Sequence, residues 1–169
     1  MQKQPARFGK VLPLHKMLYL LLTGGEPLLH SDFEQIYSGL AEMGILLTLN
    51  TNGTLIDERI VEYMEKNPPE RVNITLYGCS DNTYQKVCGS AKGYKAAIHG
   101  VELLKKAKIP VCINTTFTRH NASDMEHITS NAGNCIQHYP DETINSERPG
   151  ASHFSGCFWG DFVSFPLGL

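Results

Sequence analysis

Four short apolar runs, each closed by Gly, Asn or Thr and leading toward a segment of helical periodicity, restrict this chain to few folds. Met17–Thr23 is the first, and Phe33, Ile36, Tyr37, Leu40 and Met43 follow at helical spacing. Ser31 and Glu34 are placed there as a capping box and Gly44 as the stop. Ile45–Asn50 is the second run. A helix from about Asp57 then carries Ile60, Val61 and Met64 on one face until Asn67-Pro68-Pro69 ends it. Val72–Tyr77 is the third, followed by a long helix near Tyr94–Lys108 with Tyr94, Ala97, Ile98, Val101 and Leu104 as its stripe. Lys105, Lys106 and Lys108 suit its negative end. Pro110–Phe117 is the fourth, and Ser123 with Glu126 repeats the capping-box spacing, opening a further helix.

Strands alternating with helices predict an α/β chain with a parallel sheet, open or closed into a barrel. Right-handed crossovers then place every strand C-terminal end on one rim, where ligands bind in both architectures. Beyond Asn131 the pattern fades: Asn131–Ser155 reads as loop, and Phe154–Leu169 is aromatic and Gly-rich.

Composition excludes several classes. The net charge is -2 and no basic block stands out, which argues against nucleic acid as a partner. No apolar run reaches the roughly 20 residues that span a bilayer. The run Met17–Leu22 leads into Thr23-Gly24-Gly25-Glu26-Pro27 rather than a small-x-small cleavage site, so it reads as a buried strand of a cytoplasmic protein, not a signal peptide. The five cysteines (Cys79, Cys88, Cys112, Cys135 and Cys157) are widely spaced, and mostly reduced thiols are expected. The seven histidines are scattered without ligand spacing.

The segment Leu21-Leu22-Thr23-Gly24-Gly25-Glu26-Pro27-Leu28-Leu29 resembles the signature that closes the second strand of radical S-adenosylmethionine (SAM) enzymes. Thr51-Asn52-Gly53-Thr54 follows at the next strand end, then Ile74-Thr75-Leu76-Tyr77-Gly78 with Thr83-Tyr84, then Ile109-Pro110-Val111 and Asn121. Order and spacing are similar to the radical SAM core over residues 17–130, especially the branch with a cysteine-rich SPASM extension. The resemblance implies an incomplete (β/α) barrel of parallel strands. It also implies reductive cleavage of SAM at a 4Fe-4S cluster to a 5′-deoxyadenosyl radical, with a peptide or protein as substrate.

It further implies a SAM-binding set. Gly24 and Gly25 let backbone approach the cofactor, Glu26 accepts from its ammonium, and Pro27 stiffens the turn. Thr75 stands near the ribose or carboxylate, Lys86 meets the carboxylate, and Asn52 and Asn114 add polar contacts on the rim. Each has a plainer reading. Gly24-Gly25 can be a tight turn, Glu26 a cap, Thr75 a strand residue, Asn52 a turn former and Lys86 a surface lysine. Tyr77 and Tyr84 read as packing residues.

Two departures accompany the resemblance. Residues 1–16, a segment unlike the family, hold no cysteine, and none of the five cysteines has the spacing of a cluster motif. In 131–169, an irregular tail, Gly156-Cys157-Phe158-Trp159-Gly160 is similar to the opening of a SPASM motif whose later cysteines do not follow. A fragment, a degenerate gene product or a truncated chain is expected, with its radical chemistry impaired. The alternative is a non-catalytic SAM- or protein-binding remnant of the same fold, its exposed barrel edges open to self-association. An unrelated enzyme with a Gly-rich phosphate loop is the weakest reading, because no Gly-x-Gly-x-x-Gly and no Gly-Lys-Ser/Thr occurs.

Overall fold

The structure, a computed structural model, describes residues 18–124 and 126–128 and the backbone of 136–140 and 164–166. Its elements run β1 (Tyr19–Thr23), α1 (Phe33–Glu42), β2 (Leu46–Thr51), α2 (Glu58–Lys66), β3 (Arg71–Thr75), α3 (Asp81–Cys88), α4 (Gly93–Lys106), β4 (Val111–Phe117), β5 (Ile136–Pro140) and β6 (Ser164–Pro166). The six strands form one sheet in the order β5-β4-β3-β2-β1-β6. Every pairing is parallel, so all strand C-terminal ends share one rim. This is the expected incomplete barrel.

Strand alternation gives the sheet two different faces. Leu20, Leu22, Leu47, Leu49, Val72 and Ile74 face the helices and join one core with Tyr37, Met64, Ala97 and Leu104. Leu49, Val72, Ile74 and Met64 are fully buried, each burial stabilising by about 1.5–3 kcal/mol relative to an exposed side chain. The alternate positions, including Thr48, Asn50, Asn73, Thr75 and Asn114, form the polar inner face.

One close approach fixes how α4 lies on the sheet. Gly53 has φ +75, and a Cβ on Gly100 would stand 2.5 Å from the Gly53 carbonyl oxygen. Only a helix with glycine at position 100 packs against that loop so closely.

Several local expectations shift. The N-cap of α1 is Asp32, without a side-chain cap bond, so the Ser31 capping box is not formed. Asp57 does cap α2, accepting from Ile60 N. Apolar periodicity does not predict α3, which Ser80 caps by accepting from Thr83 N. Its mixed surface, with only Thr83 and Tyr84 buried, leaves little apolar periodicity to read. Ser123 lies inside a 3-10 turn, Ala122–Asp124, rather than capping a helix, and Glu126–Ile128 is helical. The segment read as loop contains β5.

Candidate functional site

Four strand ends build the rim. After β1, the chain turns through Gly24 and Gly25, and Pro27 starts a 3-10 turn, Pro27–Leu29. Glu26 caps that turn through Leu28 N at 3.2 Å. Its carboxylate also reaches across to β2: Thr51 Oγ1 donates to Oε1 at 2.7 Å and Asn52 N donates to Oε2 at 2.8 Å. A carboxylate offers about four acceptor sites, so these three bonds leave one at Oε2. A Cβ on Gly25 would meet nothing within 4 Å. The Gly25 backbone therefore borders open space beside that carboxylate.

The β2 end is a tight polar turn. Asn52 Oδ1 accepts from Thr54 N at 2.9 Å and Thr54 Oγ1 at 2.6 Å, and Gly53 N donates to Thr51 Oγ1 at 3.1 Å. Asn52 thus forms its own turn, and its side-chain oxygen is already engaged.

Deeper on the inner face, Asn73 Nδ2 donates to Asn50 Oδ1 at 2.7 Å. Thr75 on β3 stands in register with Asn114 on β4. Asn73 and Asn114 are 5% and 8% exposed, and the Oδ1 atom of each lacks a hydrogen-bond partner. Lys86 is exposed in the last turn of α3. Among the described residues, no hydrogen bond or ion pair joins Lys86 to the rim. The structure therefore brings Gly25, Glu26, Pro27 and Asn52 together at one corner and sets Thr75 beside Asn114 on the same sheet face.

The β3 and β4 ends are latched by residues that sequence reasoning gave no such role. Asn121, fully buried, accepts from Thr118 N at 2.6 Å and donates to Tyr77 O and Thr116 O at 3.0 Å each. Asp124 accepts from Cys79 N at 2.7 Å and Thr83 Oγ1 at 2.8 Å. Burial opposes the charged form of Asp124, but these donors, Ser123 and the nearby His127 outweigh it and hold its pKa below the ordinary value. Tyr77, Cys79 and Thr83 stand more than 40 residues from Asn121 and Asp124 in sequence, so no local pattern announces these three contacts. Strand alternation alone could have singled out Asn73 as polar between Val72 and Ile74.

Tyr77, Tyr84 and Tyr94 pack as a cluster, with ring centroids 5.7 and 5.9 Å apart along it. Burial raises all three phenol pKa values. Cys79 and Cys88 carry free thiols, and Cys112 is disulfide-bonded. Burial and then Asp124 raise the Cys79 pKa, which keeps it a protonated thiol. Among the described residues, no group of three or more His, Cys, Asp or Glu converges to hold a metal ion.

A parallel α/β sheet with a Gly-Gly-Glu rim is the architecture of radical SAM proteins, and comparison with known proteins agrees. The model of the radical SAM superfamily matches residues 10–130, so the chain belongs to that superfamily. It is 32% identical over 106 residues to an AdoMet-dependent heme synthase of Methanosarcina barkeri, covering 63% of this chain and 30% of that protein. It is 35% identical over 103 residues to a probable GTP 3′,8-cyclase of Sulfolobus acidocaldarius, covering 60% and 32%. The chain therefore spans about a third of the length of these curated relatives.

Among solved structures, it resembles native anSMEcpe with bound AdoMet (TM-score 0.61, 22% identity, 82% of this chain and 42% of that one). It also resembles SuiB of Streptococcus suis bound to its precursor peptide SuiA (TM-score 0.61, 19% identity, 77% and 30%). At these identities the structures speak for the fold. Among the described residues, no helix is long and apolar enough to cross a membrane.

Proposed function

We propose that the rim binds the methionyl end of SAM, and that the chain belongs to a radical SAM enzyme acting on a peptide or protein. The observation that carries this reading is the corner at Glu26: a braced carboxylate with one acceptor site left, beside open space at Gly25. An ammonium fits a carboxylate held in place by neutral donors, because the contact is charge-assisted and needs no rearrangement. When bound with a 4Fe-4S cluster in this superfamily, SAM supplies a 5′-deoxyadenosyl radical by reductive cleavage. This chain's described residues would bind and orient the cofactor. Gly24 and Gly25 admit it, Glu26 fixes the ammonium, Pro27 stiffens the corner, and Thr75 offers a hydroxyl. Asn52 shapes the turn and leaves its amide nitrogen for the ligand, while Lys86 would reach the carboxylate only from its exposed position on α3.

Support for a peptide substrate comes from the SuiB neighbour with its precursor peptide and from the SPASM-like Gly156–Gly160 segment. The wide cysteine spacing favours a second reading, SAM binding without cleavage. Two measurements separate them. SAM should raise the thermal midpoint of the chain, and an absent shift refutes the rim assignment. Anaerobic reconstitution with iron and sulfide, followed by desalting and counting, gives four irons per chain on the catalytic reading and background on the other.

A further inference from the structure

The inner face of β3 and β4 holds two acceptors that have no hydrogen-bond partner among the described residues. Asn73 and Asn114 are both more than nine-tenths buried, and the side-chain oxygen of each is unpaired. The bond from Asn73 Nδ2 to Asn50 fixes the Asn73 amide toward β2, which turns its oxygen the other way. An unpaired buried acceptor is destabilising, because it has given up water without gaining a partner. Two such acceptors lie on adjacent strands of one face.

We propose that Asn73 and Asn114 read backbone N–H groups of an extended, uncharged stretch of a peptide substrate. The proposal rests on the peptide part of the reading above and names what would recognise the chain.

Charge narrows the ligand. Thr48, Asn50, Thr75 and Thr116 share this wall by strand alternation, and none is ionisable. The charged side chain of this face on β2–β4, Arg71, stands at the N-terminal end of β3. Among the described residues of β2–β4, no carboxylate lies on this face to meet an ammonium, so a neutral donor is favoured.

Spacing narrows it further. Asn73 lies in register with Cys112, and Asn114 is two residues further along β4. The two positions are therefore diagonal, one strand (about 4.8 Å) across and two residues (about 6.6 Å) along, or roughly 8 Å apart. Same-side N–H groups of an extended peptide repeat at two residues, about 6.6 Å, the same as the along-strand component of that separation. The vicinal hydroxyls of a ribose sit on adjacent carbons and are too close together to serve both acceptors. Asn114, expected from sequence to contact SAM, is thereby assigned to the substrate.

The test selects a ligand from a randomised pool of neutral, acetylated and amidated heptapeptides, retained on the full chain with SAM present. The best-retained peptide is then titrated by fluorescence anisotropy. N114L and the paired change N50L/N73L should each weaken it at least tenfold, while the SAM-induced thermal shift stays within a degree of wild type. N-methylation of the peptide should weaken binding to the unaltered chain at two residues spaced two apart and little elsewhere. This arm needs no variant to fold. No retained peptide, equal affinity for the variants, or indifference to N-methylation would overturn the proposal. Loss of the SAM shift alongside peptide binding would overturn it too, because the wall would then belong to the cofactor. A wild-type chain that binds the peptide with this pattern but shows no SAM shift supports the wall and refutes the SAM reading alone.

Discussion

Thr51 Oγ1 donates a 2.7 Å hydrogen bond to Glu26 Oε1 and ties the C-terminal ends of two neighbouring strands. Thr51 is 4% exposed, so the bond is shielded from water on one side. The carboxylate that the cofactor would meet is thus held by a residue that faces the core.

The first prediction follows from that brace. Thr51→Val keeps the shape but removes the donor to Glu26 and the acceptor for Gly53 N. A stability loss of about 1–3 kcal/mol is expected, with Thr51→Ser recovering most of it. Urea unfolding checks this, and equal losses for valine and serine would show that packing rather than the hydroxyl matters.

The second concerns the ligand. Glu26→Ala should abolish any SAM-dependent thermal shift, because it removes the carboxylate and strands Asn52 N and Leu28 N. Glu26→Gln should retain part of it: its amide oxygen can accept from Thr51, but its NH2 would face a donor at Asn52. An unchanged shift in the alanine variant removes the assignment.

Two glycines in helices make an opposed pair. Gly100→Ala would drive a Cβ to 2.5 Å from the Gly53 carbonyl, forcing α4 off the sheet, and a loss of about 3 kcal/mol or more is expected for such overpacking. Gly39→Ala on α1 meets nothing within 4 Å and should stabilise by about 0.5–1 kcal/mol through helix propensity. Thermal melts of the two variants read both signs.

Asp124 gives a pH signature. Its folded pKa lies below the ordinary 3.8, so its contribution to stability is fully present above about that value. It is lost as pH falls through the folded pKa, where the native carboxylate takes up its proton. Asp124→Asn should be less stable than wild type at neutral pH, and the gap should narrow below pH 3.8. A gap that is constant from pH 6 to pH 3 would assign the loss to shape rather than charge.

Much of the architecture was legible in the linear chain. Apolar runs at Met17–Thr23, Ile45–Asn50, Val72–Tyr77 and Pro110–Phe117 fell within two residues of β1–β4, because a strand buried on its helix-facing side must carry aliphatic residues wherever it lies. Gly24-Gly25-Glu26-Pro27 marked the rim because a turn leaving a strand needs those backbone freedoms in sequence order. Asp57 announced α2 because capping is a contact between near neighbours.

The tertiary structure alone decided the rest. α3 was hidden because its surface lacks a continuous apolar stripe, and what fixes its start is Ser80 together with the distant Asp124. That Glu26 is braced from β2, that Asn121 and Asp124 latch two strand ends, and that Asn73 and Asn114 share an unsatisfied wall all depend on strand register. Propensity and periodicity act over a few residues, whereas register is set by which strands meet. A sequence therefore names the residues able to hydrogen bond, and only the folded sheet determines which of them are partners and which are left unpaired.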